Sequence, residues 1–326
     1  MNYTVTSESL LQLEQYRQNS ALKIRWEPLF LLPSWLQVWQ ECFAPTQETK
    51  ILVIRENDQI IGVAPLLIKM NTASIIGSVN VCDYFDFPVI PGKENEFYRT
   101  LLGHLNSLGI KVLDAQVIRP DSTIISHLVP MAEHAGFKVI LSPDELSPDL
   151  SLPGSWEQYL ESLDTKQRHE LRRKLRRLEA AGTISSTIIT SPETVPGFLG
   201  VFLKMFMESR EDKADFLTPG METYFRSIIL KMAEIGILRA CILELDKKPV
   251  AALVAFDYND VIYLYNSGFV RDYSYLSVGI LSKALLIKDS IERGKIKFDL
   301  LKGSEPYKFH LGGIEVRLQK CRIDMG

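Results

Sequence analysis

Between Lys50 and Lys69 the apolar residues fall in two blocks, ILVI and IIGVAPLLI, separated by the polar run Glu56-Asn57-Asp58. That pattern predicts two strands joined by a tight turn. The same grammar returns in RACILELDKKPVAALVAF (Arg239 to Phe256). Laid beneath the first segment without gaps, it pairs Ile54 with Ile242, Glu56 with Glu244, Asp58 with Asp246 and Ala64 with Ala252, a shift of 188 positions. Each hairpin is followed by a further strand pattern, SIIGSVNV (Ser74 to Val81) and VIYLYNSGF (Val261 to Phe269). Each half then becomes helical. ENEFYRTLLGHLNSLG (Glu94 to Gly109) and GILSKALLIKDSIERG (Gly279 to Gly294) carry apolar residues at three- and four-residue intervals and stop at glycine. Five residues beyond that glycine stands an aspartate in an apolar strand, Asp114 in KVLDAQVI and Asp299 in IKFDLL, now at a shift of 185.

A hairpin, a strand, a helix and another strand, recurring in order at a nearly constant shift, indicate internal duplication. A helix between two strands implies a right-handed crossover in a mixed sheet, so both halves are expected to be α/β. The boundary is expected within LSPDELSPDLSLPGS (Leu141 to Ser155), where three prolines and a glycine interrupt every periodic pattern. This gives domains 1–153 and 154–326. A single long helix is predicted next, over SWEQYLESLDTKQRHELRRKLRRLEAAG (Ser155 to Gly182), with a serine cap, a terminal glycine and seven basic residues from Lys166 to Arg177. Its charges are either a solvated face backed by Glu170 and Glu179, or a clamp in which Arg168, Arg172, Arg173 and Arg176 meet anions.

Bulk properties narrow the partners. The 326 residues are 46% hydrophobic and 24% charged, with a formal net charge of -3, so any charge-based binding is local. The N-terminal segment lacks a basic region followed by an apolar core, and no run approaches roughly 18 apolar residues, so a cytoplasmic protein without a membrane span is expected. Cys42, Cys82, Cys241 and Cys321 form no CxxC, and the five histidines have no ligand spacing; no bound metal is expected.

Two stretches carry candidate chemistry. In NSGFVRDYSYLSVGILSKALL (Asn266 to Leu286) a strand gives way to a loop with Arg271, then to Gly279 at a helix start. Free N–H groups and the positive end of the helix dipole there suit a phosphate. In FDLLKGSEPYKFHLGG (Phe298 to Gly313), Asp299, Lys302, Glu305, Tyr307, Lys308 and His310 crowd just past a strand end, where α/β proteins place their sites. The alternative is surface charge and a packing aromatic.

Here the chain resembles the CelD-like acetyltransferases linked to cellulose biosynthesis, relatives of the FemABX aminoacyltransferases; both groups are duplicated GNAT folds. The resemblance runs from Trp156 to Lys308 through SWEQYLESLDTKQRHELRRKLRRLE, the helix MFMESREDK (Met205 to Lys213), ELDKKPVAALVAF, YLSVGILSKALLIKDSIERG and FDLLKGSEPYK, and is most specific in D-x-x-x-G-x-E-x-Y-K from Asp299 to Lys308. CDYFDFPVIPG (Cys82 to Gly92) looks like the family's aspartate-tyrosine motif, and Val278 stands where the family usually has proline. The resemblance implies a tandem GNAT fold with mixed sheets flanked by helices, and acyl transfer from acetyl-CoA or another acyl-CoA to an amine. It implies donor contacts at Arg271, Tyr275, Ser277, Val278, Gly279 and Ile280. Tyr307 becomes the candidate acid and Lys308 a contact to the acyl group, while Glu305, Asp299 and then Glu208 are candidate bases. Asp83, Tyr84, Asp86, Arg172 and Arg210 are candidate contacts to a small-molecule or saccharide amine, the N-terminal half being the acceptor side. No stable nucleic-acid partner is expected. The rival readings are tRNA-dependent aminoacyl transfer, as in FemABX proteins, with the basic helix on RNA, and a GNAT module that binds without catalysis.

Overall fold

The computed structural model describes residues 2–43 and 49–326, which form two compact units, one reaching to Leu146 and including Val316–Gly326, the other Ser147–Glu315. In chain order the first contains β1 (Tyr3–Glu8), α1 (Leu10–Gln18), α2 (Pro33–Phe43), β2 (Thr49–Glu56), β3 (Gln59–Lys69), β4 (Thr72–Ile75), α3 (Glu94–Ser107), β5 (Val112–Ile118), α4 (Val129–His134) and β6 (Lys138–Leu146). The second contains β7 (Asp149–Ser151), α5 (Trp156–Ser162), α6 (Thr165–Ala181), β8 (Ile184–Ile189), α7 (Val195–Ser209), α8 (Glu211–Phe216), α9 (Pro219–Glu234), β9 (Ala240–Leu245), β10 (Lys248–Tyr258), β11 (Val261–Phe269), α10 (Val278–Glu292), β12 (Lys297–Asp299) and α11 (Pro306–His310). The last strand, β13 (Arg317–Asp324), returns to the first unit.

Two mixed sheets result, ordered β1-β2-β3-β4-β5-β13-β6 and β7-β12-β11-β10-β9-β8, with helices flanking each, as the tandem α/β expectation has it. The hairpins β2–β3 and β9–β10 both turn on two residues with positive φ, Asn57-Asp58 and Asp246-Lys247. Such mirror-image turns match the right-handed strand twist. Both halves then cross over through a helix into a three-pair parallel ladder that ends on the aspartate, at Ser74↔Asp114 and at Tyr263↔Asp299. The duplication therefore extends to strand register.

Four boundaries differ from the sequence reading. The domain break falls at Leu146–Ser147, inside the expected stretch from Leu141 to Ser155 but ahead of residue 153, and β13 pairs with β5 and β6, so the C-terminal strand completes the first sheet. The proline-rich stretch holds β6 and β7; β6 is an edge strand, where Pro143 sacrifices no ladder bond. The long basic helix is two, because Asp164 accepts from Gln167 N (2.8 Å) and starts a fresh capping box after Ser162. The helix over Met205 to Lys213 breaks at Arg210, whose backbone is extended.

Candidate functional site

The second unit's sheet opens at its centre. β10 stays paired to β11 as far as Phe269, but the β11–β12 ladder stops at Tyr263↔Asp299, so 264–269 has a strand on one side and none on the other. α7 and α10 pack against β10 and β11, fixing the long strand while the short one ends.

At the far end of β11 a 3-10 turn over Arg271–Leu276 leads to α10 through Ser277, a left-handed residue (φ 60°, ψ 30°). No side chain caps α10 and no acid lies in its first turn. The Ser277 hydroxyl instead accepts from Arg177 Nη2 of α6 (3.0 Å). A long helix start with an arginine beside it is electropositive and unneutralised. Arg271 is exposed and donates through Nε to Ser209 O (3.4 Å), Tyr275 is 64% exposed, Gly279 and Ile280 are half-buried, and Val278 is buried. A Cβ on Gly279 would stand 2.9 Å from the Phe269 ring. The glycine thus serves close helix-to-strand packing.

Past β12 the chain turns sharply. Asp299 is 2% exposed and accepts from Leu301 N (2.9 Å), holding Leu301 at φ 58°. Lys308, also 2% exposed, reaches back from α11 to the carbonyls of Leu301 (2.9 Å), Lys302 (2.7 Å) and Gly303 (3.3 Å) and to Glu305 Oε2 (3.0 Å). Its three protons are engaged in pinning the loop. Gly303 adopts φ 121°, a conformation that favours glycine, and a Cβ there would press on the Glu305 carboxylate. Burial works to raise the Glu305 pKa, but Lys308, the backbone N–H and Arg210 prevail and hold the carboxyl below its ordinary value. Tyr307 is half-buried; burial first, then Glu305, push its phenol well above its ordinary value, with Arg210 opposing. Its hydroxyl has no hydrogen-bond partner among the described residues.

A further member of this cluster is one the sequence reading missed. Lys283 of α10 is 4% exposed, donates to Gly279 O (2.7 Å), and sits 4.7 Å from the centroid of the Tyr307 ring. Burial, then Lys213 and Lys308, push its amine down to about 7 against the pull of Glu305. The available signal was a lysine on the apolar stripe of Leu281, Ala284 and Ile287.

The structure therefore brings Tyr307, Lys308, Glu305, Asp299 and, electrostatically, Arg210 together in one unit. Glu208 is exposed on α7. Arg172 and Arg176 lie exposed on α6 with no ion pair among the described residues, whereas Arg173 and Lys174 pair with Glu170. In the first unit Tyr84 is 1% exposed, edge-on to Phe30 and beneath the Arg119 guanidinium, a packing role. Asp86 is buried and accepts from Thr123 N (2.7 Å), Thr123 Oγ1 (2.7 Å) and Ile124 N (3.2 Å), so it caps a turn and its carboxylate is already engaged. Asp83 is half-buried. Among the described residues no group of three His, Cys, Asp or Glu is placed to hold a metal ion, and no helix is long and apolar enough to cross a membrane.

With this geometry, the second unit has a GNAT-type acyltransferase fold. Residues 165–309, from the start of α6 into α11, match the acetyltransferase (GNAT) domain family. The FemX crystal structure resembles the chain at TM-score 0.66 and 11% identity, covering 98% of this chain and 96% of that one. A conserved protein of unknown function from Bacteroides thetaiotaomicron does so at 0.65 and 14%, with all of both chains covered. A tandem GNAT protein from the clavulanic acid biosynthesis pathway, solved without AcCoA, reaches 0.50 at 14% identity over 100% of this chain and 99% of its own. These likenesses are of fold. No curated protein matches the chain by sequence.

Proposed function

We propose that the second unit transfers an acyl group, acetyl in the simplest case, from a coenzyme A thioester to an amine on a small molecule or saccharide, as in the CelD-like acetyltransferases. The observation that carries this reading is the open edge of β11 ending at an uncapped, acid-free helix start flanked by Arg177 and Arg271. An extended donor arm finds an edge along 264–269 with no strand paired to it, where the Ser267 carbonyl accepts from Lys213 Nζ (2.5 Å), and its pyrophosphate finds the α10 N-terminus.

The donor supplies the activated acyl group; the chain's residues do the rest. Backbone N–H groups at the open edge are suited to stabilise negative charge on the reacting carbonyl oxygen. Tyr307, whose raised pKa keeps it protonated, gives its proton to the departing thiolate. Glu305, held ionised by Lys308, is a weak base for that reason; it is better suited to accept a hydrogen bond from the incoming amine. Asp299 and Lys308 act by fixing the loop that presents both.

Calorimetric titration with acetyl-CoA tests donor binding, and Tyr307→Phe should lower CoA release in the presence of amine acceptors about 100-fold or more at unchanged affinity. The exposed Arg172 and Arg176, with the likeness to FemX, favour tRNA-dependent aminoacyl transfer as a second reading. Absence of acetyl-CoA binding together with tRNA affinity that falls steeply with salt would select it.

A further inference from the structure

Lys283 is a buried cation that forms no ion pair among the described residues. A methionine or leucine would fill the same place on the apolar stripe of α10 without carrying charge into the core. Its ammonium is held from one side by Gly279 O at the first turn of its own helix, and on another side it lies over the Tyr307 ring at 4.7 Å from the centroid. The charges acting on it come from Lys213 on α8, Glu305 ahead of α11 and Lys308 on α11; among the described residues β10 and β11 contribute none. Two of those three are cations, so the surroundings do not explain the lysine as a partner for a resident carboxylate.

We propose that Lys283 is a positioning residue for Tyr307, its ammonium stabilising the phenolate that forms when the hydroxyl gives up its proton. This role rests on Tyr307 being the proton donor to the leaving thiolate. In that step the C–S bond of the donor has broken, the Tyr307 O–H bond breaks and an S–H bond forms. Negative charge passes to the phenolate, which water reprotonates, while the proton lost by the amine goes to solvent. The ring then carries a full negative charge in place of a quadrupole, and the attraction to a desolvated cation against its face rises accordingly. Because burial depresses the lysine to about 7, the assistance is strongest below that pH and fades above it.

The decisive measurement needs no acyl donor. With 3,5-difluorotyrosine placed at position 307 of the full chain, fluorine NMR follows ionisation of that ring against pH. Lys283 is neutral where this ring ionises, so a fixed charge gives the comparison: ionisation should be at least about tenfold easier, one unit lower in pH, in Lys283→Arg than in Lys283→Met. In the chain with Lys283 intact, the same resonance should show a second inflection near pH 7 as the lysine titrates. Equal ionisation in Lys283→Arg and Lys283→Met overturns the role; if those variants do not fold, absence of the second inflection overturns it instead. Acetyl-CoA titration of the same samples keeps the two ideas apart, since a failed donor reading leaves the fluorine coupling intact.

Discussion

The two units share a parallel ladder closed by an aspartate, at Ser74↔Asp114 in one and Tyr263↔Asp299 in the other, behind a crossover helix that stops at Gly109 or Gly294. Around that frame they part. β4 ends at Ile75, directly past its ladder, while β11 continues to Phe269 with one side open. α3 opens with Glu94 and Glu96, which answer its dipole; α10 has no acid in its first turn. At the shift of 185 that aligns these helices, Tyr98 of α3 corresponds to Lys283 of α10. Tyr98 is hydrogen-bonded to Thr123 Oγ1 at 2.5 Å, a hydroxyl chain that ends on the Asp86 carboxylate, whereas Lys283 is a buried charge over an aromatic ring. Beyond the aspartate, β5 continues to Ile118 against β13, but β12 stops and the chain is pinned by Lys308. Duplication copied the ladder; the open edge, the bare helix start and the charged cluster occur where the second copy leaves that ladder unfinished.

The contrast between Lys283 and Tyr98 gives the largest expected effect. Burial lowers the Lys283 amine from 10.5 to about 7 in the folded chain. Between those values the unfolded state binds more protons, so stability rises with pH across that window, and the full penalty for the buried charge is present below about 7. At roughly 1.36 kcal/mol per unit the penalty is at most about 5 kcal/mol. Urea melts should therefore find Lys283→Met more stable than the parent at pH 6, with the gap narrowing toward pH 10. Tyr98→Phe should instead lose about 1 kcal/mol, the same at every pH from 6 to 9. A gap for Lys283→Met that is flat with pH would mean the amine is not buried as a charge.

Lys308 clamps the passage beyond β12 through four contacts. Lys308→Met leaves three loop carbonyls and the Glu305 carboxylate without their donor, and should destabilise the second unit by about 3–5 kcal/mol in denaturant melts. A loss under 1 kcal/mol would reduce the clamp to a surface contact. Gly279 ranks next. The corresponding α3 position is Glu94, a side chain that α10 has no room for, and Gly279→Ala should cost about 1–3 kcal/mol by pressing on Phe269. Phe269→Leu should return much of that loss in a double-mutant cycle. Equal losses in both backgrounds would locate the constraint elsewhere.

Much of this frame was legible. Asn57-Asp58 and Asp246-Lys247 announce two-residue turns between apolar blocks, and glycines end both crossover helices, because turns and caps are written in local residues. The Asp164-x-x-Gln167 capping box was equally present, though the strong basic periodicity masked it. The return of β13 to the first sheet was not legible: RLQKCRID reads as a strand, but nothing in it names β5, some two hundred residues away, as its neighbour. The motif from Asp299 to Lys308 led to the right place, yet its spacing could not tell that Asp299 and Lys308 face inward to hold a turn while Tyr307 keeps its hydroxyl unbonded. Lys283 was hidden because one lysine on an apolar stripe reads as a snorkelling side chain until the ring above it is known.

The smallest effect concerns the two helix starts. Glu94 and Glu96 lie in the first turn of α3, and Glu94 also accepts from Gly92 N at 2.8 Å. Glu94→Gln and Glu96→Gln should each lower the stability of the first unit by about 0.3–1 kcal/mol, less in high salt, since the attraction to a helix dipole is screened. The reciprocal change is more telling. Ile280→Glu sets an acid in the first turn of α10, where Ile280 is half-buried. If the bare N-terminus serves an anionic ligand, the introduced carboxylate occupies it and acetyl-CoA affinity should fall at least about tenfold, while Ile280→Gln, nearly the same shape without the charge, should retain most of the binding. Equal losses in the two variants would show that Ile280 matters for packing alone, and the difference between the two helix starts would then have no part in ligand choice.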